Sequence, residues 1–139
     1  MMTISDMADR FLDAYNSRDP AAVSALYSID GVHGDAATRH SNEGRQSIEK
    51  GFGFFLTAIP DAHWTERERI VAGRQLVLVY RLEGHLQGRL GPFVGSGQAI
   101  CLNGAFVLAL SDKGTIASTI DYWNPEEFAR QAEAATVSV

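Results

Sequence analysis

The chain has 139 residues, 45% of them apolar and 21% charged, with 12 Lys and Arg against 17 Asp and Glu for a net charge of -5. This is an ordinary globular mixture in a length that one domain, 1–139, fills, and it excludes a collagen, a coiled coil and a disordered chain. No Lys/Arg cluster offers a phosphate backbone a hold, so nucleic acid is not expected as a partner.

Apolar runs such as "AFVLAL" at 105–110 fall far short of the roughly 20 residues that a membrane span needs, so no membrane partner is expected. The start, "MMTISDMADR", lacks a basic segment followed by an apolar one, and a cytoplasmic location is expected. Cys101 is the single cysteine, which leaves no intramolecular disulfide and no thiolate metal cluster. In its setting, "AICLNGAF", a buried inert thiol is expected.

In chain order, Ser5 as N-cap and Met7, Phe11, Leu12 and Tyr15 at helical spacing predict an amphipathic helix over 5–17. Asp19 followed by Pro20 is an N-cap with Pro at the first helical position, and opens a short second helix whose buried face is Val23, Leu26 and Tyr27. "DGVHGDA" at 30–36 has room for a short strand around Val32 and His33, and a polar loop runs on to Asn42. Ile48, Phe52, Phe55, Leu56 and Ile59 predict a third helix over 44–59, stopped by Pro60.

After Pro60 the texture changes to strands, at 63–71, 75–86, 97–110 and 115–123, separated by "AGR", "GRLGPFVGSG" and "SDKG". "DKG" reads as a hairpin turn, and Asn124 with Pro125 starts a last short helix. The expected fold class is therefore α+β, with a curved antiparallel sheet, N-terminal helices on its concave face and a cavity between them.

The segments "FLDAYNSRDPAAVSALY", "EGRQSIEKGFGFFLTAIPD", "YRLEGHLQGRL" and "DKGTIASTIDYWN" resemble, in that order, the SnoaL-like polyketide cyclase branch of the nuclear transport factor 2-like cone fold, over about residues 4–131. The resemblance implies a cone with a deep apolar internal pocket and a homodimer through the outer sheet face. It also implies an enzyme that binds a small apolar or polycyclic molecule and needs no cofactor. The superfamily hosts cyclases, ketosteroid isomerases, limonene-type epoxide hydrolases, dehydratases and non-catalytic binders, so the reaction rests on the site and not on the fold.

Asp121 falls where the cyclases carry their acid/base aspartate. Flanked by Thr119 and Trp123 on its own strand face, a pocket-facing carboxylate is desolvated and its pKa rises towards neutrality. The alternative is a strand-end acid in solvent. His33 occupies the early segment where relatives place a substrate-binding polar residue, and it is the second catalytic candidate, against a plain hydrogen-bonded loop histidine. Asp35 and His40 lie nearby and are assigned no role.

The cyclase histidine of the penultimate strand matches Val107 here, which leaves an enolate without that donor. Arg81 and Glu83, two residues apart, are the alternative catalytic pair. With Asp121 they resemble the epoxide hydrolase arrangement, unless they form a surface pair. His85 points by parity to the face away from the pocket, and His63 reads as a loop residue. Tyr15, Phe55, Trp64, Phe106 and Trp123 are core aromatics that, in a cone, also line the substrate pocket. No His/Asp/Glu spacing suits a metal, so none is expected.

Overall fold

The computed structural model describes residues 2–134, with the side chain of Ala134 outside that description. Helix α1, Ile4–Ser17, opens on Thr3 rather than on the expected Ser5. The Asp6 N–H donates to Thr3 Oγ1 (3.0 Å) and the Thr3 N–H to the Asp6 carboxylate (3.1 Å), a capping box that satisfies two otherwise orphaned donors. Met7, Phe11, Ala14 and Tyr15 form its buried stripe. Phe11 is fully buried, and truncating it to Ala would cost about 3–5 kcal/mol. Helix α2, Pro20–Ser24, is capped by Asp19, whose side chain accepts from Ala21 and Ala22.

Two strands stand where one short strand and a loop were expected. Strand β1 runs Tyr27–Asp35 and β2 runs His40–Glu43, paired antiparallel from Val32↔Glu43 to Asp35↔His40. The sequence "HSNE" of β2 has no apolar period because it is an edge strand with no buried residue. Helix α3 follows, Arg45–Ala58, then β3, His63–Ala72, and β4, Gln75–Leu86. Strands β5, Arg89–Leu90, and β6, Phe93–Val94, form a small separate hairpin. The long β7, Gln98–Leu110, and β8, Ile116–Trp123, complete the sheet before α4, Pro125–Ala134.

The main sheet has six strands in the order β2-β1-β8-β7-β4-β3. It is antiparallel except that β1 runs parallel to β8, a correction to the all-antiparallel expectation. The β7–β8 hairpin leaves the outer edge of β8 open, and β1 fills it in the same direction. No periodicity within either strand encodes that choice of partner. Where β8 ends, β7 would expose backbone groups. Gln131 of α4 closes that edge by accepting from the Cys101 N–H (2.6 Å) and donating to its carbonyl (2.8 Å).

One sheet face carries the core. Leu76, Leu78, Tyr80 and Leu82 of β4 and Ile100, Leu102, Phe106 and Leu108 of β7 all point inward, against α1 and its stripe. The other face is outward, and Cys101 lies there exposed, where a buried thiol was expected. The apolar run around it places alternate residues on both faces, which hid the parity. No helix among the described residues is long and apolar enough to cross a membrane.

Candidate active site

Between the sheet, α3, α4 and the β5–β6 hairpin lies a cavity of about 830 Å³. Its walls are mostly aromatic and aliphatic, with Tyr15, Phe52, Phe55, Trp64, Phe93, Trp123 and Phe128 among them, and His40, Asn42, Ser47 and Lys50 add polar groups on the β2–α3 side. The hairpin forms part of the mouth through Leu90, Pro92 and Phe93, whose ring meets Phe128 edge-on at 5.5 Å. The segment "GRLGPFVGSG", read as a break between strands, thus carries two short strands of its own.

The polar floor comes from β1, β8 and β4. His33 and Asp35 are two apart on β1, Asp121 and Trp123 two apart on β8, and all four line the cavity because alternate residues share a face. The register sets His33 beside Thr119 and Asp35 beside Asp121 on neighbouring strands, about 4.8 Å apart. A carboxylate pair therefore faces the cavity.

Burial pushes the Asp121 carboxyl up from 3.8 to about 7. The Tyr80 hydroxyl, donating to Asp121 Oδ1 at 2.6 Å, opposes that rise, and the charge of Asp35 adds to it. Tyr80 is itself buried, and its phenol is pushed well above the ordinary value by burial, by the charge of Asp121 and by the bond to it, so it keeps its proton and acts as the donor. Asp35 is held by the Trp123 indole N–H, 3.0 Å from both carboxylate oxygens, and by the backbone N–H groups of Ala37 (3.0 Å) and Thr38 (3.1 Å).

Burial lowers His33 from 6.5 to about 4, with Asp35 opposing, so the ring is neutral at physiological pH. Its Nδ1 is 2.6 Å from Thr119 Oγ1. Neutrality removes the ring as an acid or base in that range and leaves it as a hydrogen-bonding group.

Tyr80 was missed in the sequence. It reaches Asp121 from β4 by passing over Gly104 of the intervening strand β7, which pairs with Tyr80 on one side and Trp123 on the other. A Cβ on Gly104 would overlap the phenol's hydroxyl and ring carbon. A lone Gly inside a long apolar strand is the signal that marks such a close approach.

The other candidates divide. Tyr15, Phe55, Trp64 and Trp123 line the cavity as expected. Phe106 does not: it is buried beneath the floor, packed on Tyr15 (5.2 Å), Phe11 (5.0 Å) and Tyr80 (4.8 Å). Arg81 and Glu83 are exposed on the outer sheet face, because Tyr80 and Leu82 between and beside them take the inward positions. They cannot flank Asp121 from there.

Val107 also lies on the outer face, paired with Ile120, and the inward residue opposite Asp121 is Phe106. His85 is exposed, its Nδ1 2.6 Å from the Asp61 carboxylate, and His63 begins β3 in an exposed position. Among the described residues, no group of three or more His, Cys, Asp or Glu is placed to hold a metal ion.

With this geometry in place, the family assignment is direct. The sequence matches the model of the SnoaL-like polyketide cyclase family over residues 5–132. The chain belongs to that family. No curated protein matches the sequence.

Among solved structures, a Jannaschia sp. CCS1 protein described provisionally as a SnoaL-like polyketide cyclase is similar with a TM-score of 0.85 at 14% identity, covering 94% of this chain and 92% of the other. A Catenulispora acidiphila protein of ketosteroid isomerase-like fold, in complex with trimethylamine, gives 0.79 at 21% identity over 91% and 92%. AclR of Streptomyces galilaeus, described provisionally as a hydroxylase, gives 0.79 at 18% over 98% and 83%. Identities this low establish the shared fold.

Proposed function

We propose that this SnoaL-like protein is a cofactor-free acid/base enzyme acting on an apolar, cyclic carbonyl compound, in the manner of a cyclase or isomerase. The observation that carries the reading is Asp121, a carboxyl with a pKa of about 7 on the floor of an apolar cavity of about 830 Å³. A group with that affinity is populated in both protonation states near neutrality, so it can take a proton from a carbon acid and return it elsewhere on the same substrate. Tyr80 fixes one carboxylate oxygen and leaves the other for the substrate. The aromatic walls suit a fused-ring guest.

The outer sheet face supports a homodimer. Ile70, Val77, Val107 and Ile120 form one continuous cross-strand row over β3, β4, β7 and β8, next to the exposed Tyr122. A second copy covering this row would remove it from water.

The test of the catalytic reading is exchange of solvent deuterium into, or isomerisation of, a panel of polycyclic enolisable ketones. Turnover with a rate–pH inflection near 7 that disappears in Asp121→Asn is the expected result. Saturable ligand binding without exchange, unaffected by Asp121→Asn, would instead make the protein a carrier. Addition of solvent oxygen to an epoxide would move Asp121 to the water-activating role of a hydrolase.

A further inference from the structure

The expected histidine donor of β7 is missing, and the inward position opposite Asp121 holds Phe106. A carbonyl oxygen that gains negative charge during proton abstraction still needs a donor in the cavity. We propose that Tyr27 and Thr119 are positioning residues that hold His33 as its Nε2–H tautomer, and that this N–H is the donor that receives the substrate's carbonyl oxygen. The second half of the proposal rests on the carbonyl reading above, while the tautomer does not.

Three side chains form a buried hydrogen-bonded chain along which the protons can be counted. Tyr27 and Thr119 are both fully buried, and the Tyr27 hydroxyl meets Thr119 Oγ1 at 2.5 Å. The same Oγ1 meets His33 Nδ1 at 2.6 Å. No other partner of the Tyr27 hydroxyl stands among the described residues, so its proton must point at Thr119 to avoid an unsatisfied buried donor.

Thr119 Oγ1 then accepts from Tyr27, and its own proton has His33 Nδ1 as its one remaining partner among the described residues; accepting from an Nδ1–H through the second lone pair would leave that proton buried and unpaired. With Nδ1 an acceptor, the hydrogen of the neutral ring sits on Nε2. That nitrogen is the one not engaged by Thr119, on a side chain that lines the cavity. The neutral state follows from burial, which holds the ring's pKa at about 4. The opposite order, Nδ1–H to Thr119 and Thr119 to Tyr27, would strand the phenol proton inside the core.

Backbone geometry explains how two residues of one strand reach the same hydroxyl. Tyr27 pairs with Ile116 and Val32 with Ser118, so five steps along β1 match two along β8. This bulge lets Tyr27 and His33 reach the same Thr119 hydroxyl, since bulges re-aim side chains. Gly31 within it leaves room for the phenol, since a Cβ there would sit 2.9 Å from Tyr27 Cβ. The Arg45 Nε–H, donating to the Tyr27 carbonyl at 2.8 Å, ties the same turn to α3.

His33 and Asp121 are diagonal neighbours on adjacent strands. The donor and the base thus address two different atoms of one guest, its carbonyl oxygen and an acidic carbon close to it.

The tautomer is read directly from the imidazole nitrogen-15 shifts of the intact protein at pH 7. The expected spectrum has a pyridine-like Nδ1 and a pyrrole-like Nε2 for His33. In Thr119→Val, Nδ1 loses its donor, and the spectrum should move towards a mixture of tautomers. With an enolisable ketone, Thr119→Val should lower kcat on the order of tenfold with KM little changed, less than the roughly hundredfold expected when a donor is deleted outright. Thr119→Ser, which keeps the hydroxyl, should restore it.

A wild-type spectrum with hydrogen on Nδ1, or with both nitrogens protonated, overturns the relay. The expected tautomer with kcat unchanged in His33→Phe keeps the relay and overturns the donor role. The expected tautomer with no exchange in any variant refutes the carbonyl reading alone.

Discussion

Replacing Asp121 with Asn is expected to stabilise the fold by an amount that depends on pH. The carboxyl titrates at about 7 in the folded protein against 3.8 in a free chain, a difference equivalent to about 4 kcal/mol. The folded state holds the proton more tightly than the unfolded chain. The contribution of Asp121 to stability is therefore fully present below 3.8 and is lost as pH rises to about 7. Asn retains an acceptor for the Tyr80 hydroxyl and carries no charge at any pH. The variant should exceed wild type by about 4 kcal/mol at pH 7 and by less than about 1 kcal/mol at pH 4. Urea titrations at both pH values measure this, and subtracting wild type from variant cancels groups that titrate in both. An equal gap at the two pH values would refute the argument, since it would mean that no ionising carboxyl occupies the cavity. Stability gained by deleting Asp121 is the trade-off that the acid/base reading predicts for a buried carboxyl kept for function.

Three more outcomes follow from the same geometry. In Tyr80→Phe, Asp121 loses the hydrogen bond that opposes its raised pKa, so the acid limb of the rate–pH profile should move up by about one pH unit or more. Gly104→Ala puts a methyl where the Tyr80 phenol lies; a loss of about 1–3 kcal/mol in urea titration, together with the same shift in the rate profile, is expected. His33 titrates at about 4 instead of 6.5, so its contribution is full above 6.5 and falls by about 3 kcal/mol as pH drops towards 4. His33→Gln should remove that part of the acid sensitivity of unfolding.

How much of this was legible in the sequence depends on whether a signal was local. Helix α1, with its stripe of Met7, Phe11 and Tyr15, and the cap at Asp19 were readable from spacing and turn chemistry. Four strand positions were readable for the same reason. Asp121 could be singled out because an acid between Thr119 and Trp123 conflicts with its surroundings, and local conflicts mark functional sites.

Facing was harder to read. In "LVLVYRLE" the outward Val77 and Val79 are as apolar as the inward Leu76 and Leu78, so only the alternation of Arg81 and Glu83 with Tyr80 and Leu82 betrays the facing. Val107 and Cys101 on β7 were misplaced by the same ambiguity. Asp35 was set aside because β1 was read as too short. Once β1 is a strand, Asp35 shares a face with His33 and its partner is fixed by the parallel pairing with β8. Contacts across three strands, such as Tyr80 over Gly104 to Asp121, exist only when the sheet is assembled.

The β5–β6 hairpin belongs to no strand that carries Asp121, His33 or Tyr80; backbone bonds from Gln87 and Gly88 to Ala58 and from Gly97 to Leu86 anchor its base, and Leu90 and Phe93 pack it on the core. Substitutions or insertions within 89–94 should therefore reshape the doorway while Asp121, His33 and Tyr80 stay in register. A library confined to that stretch would vary which guests are admitted and leave the polar floor they meet unchanged.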